Sequence, residues 1–148
     1  MKDLFKFSFL FVCALYLCSC KSVSPTAGVI CLSERDGMIT VKSIGYGKSQ
    51  KKSHEIAEKN LFDVLFFRGL PGSSQKQPLI GINEQELKRQ HKDYFNQFYN
   101  RKYYMTFLSG SEPTNKKIKK GLEVEIKVHF RALRSELESQ GIIRKFGY

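Results

Sequence analysis

From Leu122 to Phe130 the chain alternates apolar and polar residues without a break. Leu122, Val124, Ile126, Val128 and Phe130 stand on one side, and Glu123, Glu125, Lys127, His129 and then Arg131 on the other. Only an extended backbone sends every second side chain to the same face, so this stretch reads as a strand with a core side and a wet side. Such a strand needs a neighbour to pair with and a layer to cover its apolar face.

The rest of the chain supplies both. Met38 to Tyr46 (MITVKSIGY) alternates well enough for a second strand, with Ile39 and Val41 on one face. Ser49 can cap a helix running to about Arg68, which Gly69 ends and Pro71 keeps from resuming. Along that helix Ile56, Val64, Ala57, Leu61 and Leu65 make two adjacent rows, and Phe62 and Phe66 a third, so the helix should be covered on more than one side. Asn60 sits within this apolar side and should be a buried polar group, hydrogen-bonded to loop backbone. Asn83 with Glu86 marks the start of a second helix ending near Asn100, with Leu87, His91, Tyr94, Phe95 and Phe98 inward. Tyr103 to Leu108 (YYMTFL) has strand composition. A short helix carrying Leu133 and Leu137 closes at Gly141. Gly69 to Gln77 and Ser109 to Lys120 read as exposed loops. The order β-α-α-β-β-α predicts an α+β fold: helices packed on one face of a small antiparallel-rich sheet, preceded by a cleaved signal peptide.

That signal is the sharpest feature of the N-terminus. Lys2 and Lys6 precede an apolar run from Phe7 to Leu17, too short to cross a bilayer as a helix, which takes ~20 residues. Its length and basic flank match a secretory signal. Leu17-Cys18-Ser19-Cys20 then resembles the bacterial lipobox. The resemblance implies cleavage between Ser19 and Cys20, with acyl chains attached to Cys20 as the lipid anchor. Each buried methylene contributes ~0.8 kcal/mol, so two or three chains hold a protein stably. The plain alternative is a signal or buried helix in which Cys18 and Cys20 are ordinary residues. On the lipobox reading, residues 1–19 are removed, 20–37 form a lipid-anchored tether with a short strand at Val29 to Leu32, and 38–148 form one domain. Cys31 remains as a thiol, either bridging between chains or a half-buried bystander.

The chain carries 25 Lys+Arg against 14 Asp+Glu, a net charge of +11. Lys2, Lys6 and Asp3 leave with the signal, so about +10 stays. In an exported, tethered protein this excess points away from nucleic acid. It suits anionic lipid head groups, lipopolysaccharide phosphates or an acidic protein face, or it simply keeps the domain soluble.

Catalytic motifs stop short of completion. Gly47-Lys48-Ser49 lies between strand and helix, as the end of a P-loop does, but Lys42 occupies the place of the required earlier glycine. Ser49 as a structural cap accounts for the same residues. His54, His91 and His129 lie on separate elements with no second ligand at metal-binding spacing. Glu123 and Glu125 point the same way, ~7 Å apart by strand rise, within the range of paired catalytic carboxylates, but on the wet face. No linear Ser, His and acid set marks a nucleophile. We therefore expect no cofactor, no metal site and no enzyme. Tyr99, Tyr103 and Tyr104 could form an exposed platform for a small molecule or glycan, although aromatic residues at such spacing are more often core.

Two stretches resemble known families. Ile44-Gly45-Tyr46-Gly47-Lys48, with Ala57 and Lys59-Asn60-Leu61, resembles the βα unit at the start of LPP20-type lipoproteins and flagellar basal-body accessory proteins. Together with Arg68-Gly69-Leu70-Pro71-Gly72, Leu133-Arg134-Ser135-Glu136-Leu137 and Gly141-Ile142-Ile143-Arg144-Lys145-Phe146-Gly147, the pattern is similar to small lipoproteins of the Bacteroidota type, some of which accompany type VI secretion assemblies. The resemblance implies a non-enzymatic binding or scaffold component with envelope protein partners. Lys21 stands where enteric inner-membrane lipoproteins carry aspartate, which implies the outer membrane, facing the periplasm.

Overall fold

A computed structural model describes residues 28–145. The fold is α+β, with a four-stranded antiparallel sheet in the order β1-β2-β4-β3. The strands are β1 (Ile30–Arg35), β2 (Met38–Gly45), β3 (Leu108–Ile118) and β4 (Gly121–Val128). The helices are α1 (Gln50–Phe67), α2 (Glu84–Gln90), α3 (Lys92–Phe95) and α4 (Phe130–Ser139). A π-helical turn at Asn96–Asn100 and a 3-10 helix at Tyr103–Phe107 follow α3.

The register explains which face is dry. Ile39 pairs with Val128, Val41 with Ile126 and Ser43 with Val124. All six are fully buried, so the apolar side of β4 and that of β2 form one floor. α1 lies across this floor. It comes so close to β2 that a side chain at Gly45 would overlap the backbone of Ser53, and Ser43 Oγ donates to the Ala57 carbonyl at 2.7 Å. The opposite side of α1 is covered by the segment from α2 to the 3-10 helix. Phe62 and Phe66 meet Phe98 at ring-centroid separations of 5.0 and 5.1 Å, and Tyr104 closes the cluster at 5.6 Å from Phe62. Aromatic pairs, of which Phe62–Phe98 is edge-to-face and the other two are tilted, add ~0.5–1.5 kcal/mol each beyond area burial. The helix is thus enclosed between sheet and aromatic wall, as its three apolar rows require.

Local signals at the helix ends act as the sequence predicts. Ser49 Oγ accepts from Lys52 N at 3.2 Å, and Asn83 Oδ1 accepts from Glu86 N at 3.4 Å. Gly69 takes φ +79°.

Three segments differ from the expectation. Ser109 to Lys120 is not an exposed loop; nearly all of it belongs to β3, at the sheet edge. Most of its side chains are exposed or half-buried, so no alternation betrays it, and Pro113 is tolerated because an edge strand need not donate on its outer side. Tyr103 to Phe107 is a 3-10 helix rather than a strand. Tyr104 and Phe107, three apart, both turn inward, as a three-residue period demands. β1 runs from Ile30 to Arg35, beyond the short strand expected at Val29 to Leu32. The Asp36-Gly37 connection, with φ of +54° and +79°, makes a tight hairpin with β2.

Candidate functional site

Ser19 and Cys20, the expected cleavage and lipidation positions, lie outside the described residues. Among the described residues no helix is long and apolar enough to cross a membrane.

Asn60 is half-buried rather than buried, and its partner is a strand, not a loop. Its Nδ2 donates to the Ile44 carbonyl at 2.8 Å. Lys42 is the last β2 residue with a β1 partner, so the Asn60 amide supplies a donor where β1 has ended. Gly47-Lys48-Ser49 forms the turn into α1. There Ser53 Oγ accepts from Gly47 N at 3.0 Å, which fixes the loop backbone against the helix.

Glu123 departs from the expected wet setting. It is 4% exposed, because β3 shifts register between Pro113 and Lys117 and brings Thr114 and Lys116 over it. Thr114 Oγ1 donates to Glu123 at 2.9 Å and Lys116 Nζ at 3.2 Å. Burial alone would raise the Glu123 carboxyl. The hydrogen bonds from Thr114 and Lys116, with the charges of Lys116 and Lys42, outweigh it and hold the group below the usual carboxylate range. A carboxyl kept ionised in this way cannot serve as a general acid near neutral pH. Glu125, on the same face, pairs across the sheet with Lys42 on one side and Glu112 on the other. These three, with Lys127 and the neighbouring β3 residues between Ser109 and Asn115, line an open groove of about 470 Å³.

A spatial cluster that linear spacing conceals lies between α1 and β3. His54 Nε2 is 2.6 Å from Ser111 Oγ and 3.3 Å from Glu58 Oε1, and Tyr104 OH donates to Glu58 Oε2 at 3.1 Å. The residue types are those of a hydrolase triad, separated by 57 positions in sequence between His54 and Ser111. The geometry is different. A triad uses both ring nitrogens, one toward the nucleophile and the other toward the acid, so that the imidazole relays a proton. Here serine and carboxylate share one nitrogen. The cluster instead satisfies Glu58, which is 8% exposed and would otherwise be a buried charge without partners. Burial, then the adjacent Glu58 carboxylate, pushes the Tyr104 hydroxyl well above its ordinary range, so it stays protonated as a donor.

The three tyrosines considered as a platform do not form one. Tyr104 is fully buried, Tyr99 is largely covered and donates to Asp63 Oδ1 at 2.6 Å, and Tyr103 alone is exposed. Lys88 Nζ lies over the Tyr99 ring at 5.1 Å and over Phe67 at 5.2 Å, covering that side of the wall. Among the described residues, no group of three His, Cys, Asp or Glu side chains could hold a metal ion. Comparison with protein-family models, curated proteins and solved structures finds no match for the chain.

Proposed function

We propose that the chain is a lipoprotein of the cell envelope, anchored through acylated Cys20 at the outer membrane facing the periplasm. Its domain is a non-enzymatic binding or scaffold module of a larger envelope assembly of the secretion or motility type. The observation that carries this reading is the run Leu17-Cys18-Ser19-Cys20 directly after a basic and apolar signal. Further support comes from the chemistry of the domain. Its most triad-like cluster shares one histidine nitrogen, and its most buried strand carboxylate is held ionised. A ligand-binding role has less support, because two of the three candidate tyrosines are covered and a site of that kind encloses most of its ligand.

The test is metabolic labelling with palmitate of cells producing the wild-type chain and Cys20→Ser. Label on the wild type and none on the variant is the expected result; equal label on both ends the anchor reading. In-cell crosslinking then addresses the assembly. Recovery of one or more envelope proteins is expected, and recovery of the monomer alone counts against a scaffold role.

A further inference from the structure

One end of the sheet gathers exposed cationic side chains around the point where the chain enters the domain. β2 finishes at Gly45, paired with Leu122 at the start of β4. The β3–β4 connection is only Lys119 and Lys120, with Lys120 at φ +60°. The ring of Tyr46 lies against Gly121, where an added Cβ would stand 2.8 Å from the ring edge, so Tyr46 is fixed beside that turn. Tyr46 is 53% exposed, and Lys48, Lys116, Lys119 and Lys120 are all exposed. Glu123, the nearest carboxylate in register, is buried and already neutralised by Lys116. Ile30 and Leu32, on β1 where the chain enters the sheet, are exposed hydrophobic residues.

Gly28 sits at this end too. An added Cβ there would lie 3.4 Å from Ile44 Cδ1, and Ile44 pairs with Glu123. Cys20 precedes Gly28 by eight residues, which reach at most ~29 Å when fully extended. An anchor at Cys20 therefore keeps this end of the sheet within ~29 Å of the bilayer surface.

We propose that the end of the sheet formed by Tyr46, Lys48 and the Lys119–Lys120 turn docks on an anionic phospholipid surface. The proposal rests on the anchor reading and adds an orientation to it. Lysines at a membrane surface are attracted by anionic head groups, and a tyrosine suits the interface because its ring is apolar and its hydroxyl is wet. A short tether makes these contacts intramolecular, so several weak attractions suffice to hold one orientation.

The experiment uses the full chain purified from membranes and reconstituted in vesicles of phosphatidylcholine, with and without phosphatidylglycerol. Amines are acetylated and the rate at each lysine is read by mass spectrometry. Phosphatidylglycerol is expected to slow acetylation of Lys119 and Lys120 about fivefold, while Lys76 and Lys92, away from this end, keep their rates. The double variant Lys119→Glu/Lys120→Glu is expected to remove the slowing at Lys48, and Lys76→Glu to preserve it. Equal rates in the two vesicle types, or uniform slowing of every lysine, overturn the proposal. Slowing in native envelopes but not in phosphatidylglycerol vesicles also overturns it, in favour of an acidic protein partner. The intact mass separates the two levels of failure: a chain without acyl mass at Cys20 defeats the anchor itself, whereas an acylated chain with unchanged lysine rates defeats only the orientation.

Discussion

The α-carbon of Gly45 faces the backbone of Ser53 so closely that strand and helix have no room for a side chain between them. A methyl group there would overlap the Ser53 carbonyl and crowd the Ala57 amide, both backbone atoms that cannot rotate away. Gly45→Ala should therefore push α1 off the sheet and cost about 3 kcal/mol or more. Urea unfolding of the wild type and variant checks this. Gly110→Ala is the control, since its added Cβ meets nothing nearer than the Lys127 side chain at 3.9 Å.

Among the described residues, the Tyr104 hydroxyl and His54 are the partners of the buried Glu58 carboxylate. Tyr104→Phe keeps the ring in the aromatic wall but withdraws that donor. It should destabilise the domain by ~1–3 kcal/mol. Tyr104→Phe/Glu58→Gln should cost less than the sum of the single changes, because no charge is then left short of a partner. Thermal or chemical denaturation of the four proteins gives the coupling directly.

Tyr94 offers the opposite case. Its hydroxyl is buried with no hydrogen-bond partner among the described residues, and burial, then Glu136, pushes its ionisation well above the ordinary range. The ring stacks on Phe98 at 5.6 Å. Removing only the oxygen should leave that packing intact, so Tyr94→Phe should be neutral or stabilise by up to ~1 kcal/mol. A clear loss of stability would mean that the hydroxyl is satisfied in solution.

Acid should weaken the α1 surface network. The hydrogen bond from Lys59 holds the Glu55 carboxyl down, against the effect of burial, with Lys52 and Lys102 adding to it, at about 2. A carboxyl whose folded value is lower than its unfolded one, ~4.3, stabilises the fold above the unfolded value. That contribution is lost as pH falls through about 2. Solvent screening limits it to ~1 kcal/mol. Wild-type stability should thus decline between roughly pH 5 and 2. Glu55→Gln should flatten part of that decline, as followed by urea midpoints across the range.

The legible parts of the fold were those where one residue pattern answers to one burial pattern. Val124, Ile126 and Val128 alternate because one face of β4 is dry, and Ser49 and Gly69 bracket α1 because helix ends need caps. β3 was opaque because its described side chains are only exposed or half-buried, which leaves no period to show, and Tyr103 to Phe107 because aromatic residues favour strands on average. The Asp36-Gly37 pair, a strong hairpin signal, was the available clue to β1. The His54–Ser111–Glu58 cluster could not be read from spacing at all. It exists only because α1 leans its first turns over β3, a tertiary relationship with no linear signature.

β1 shifts register against β2 between Cys31 and Ser33, and this bulge at Leu32 has a practical consequence. It leaves Cys31 opposite Val41, half-buried on an edge strand, with burial and then Glu34 keeping its thiol protonated. A protonated sulfur under partial cover reacts slowly with alkylating reagents until the strand peels away. The speed of alkylation at Cys31 therefore reports how often the first strand frays, and should do so at concentrations of denaturant far below those that melt the core.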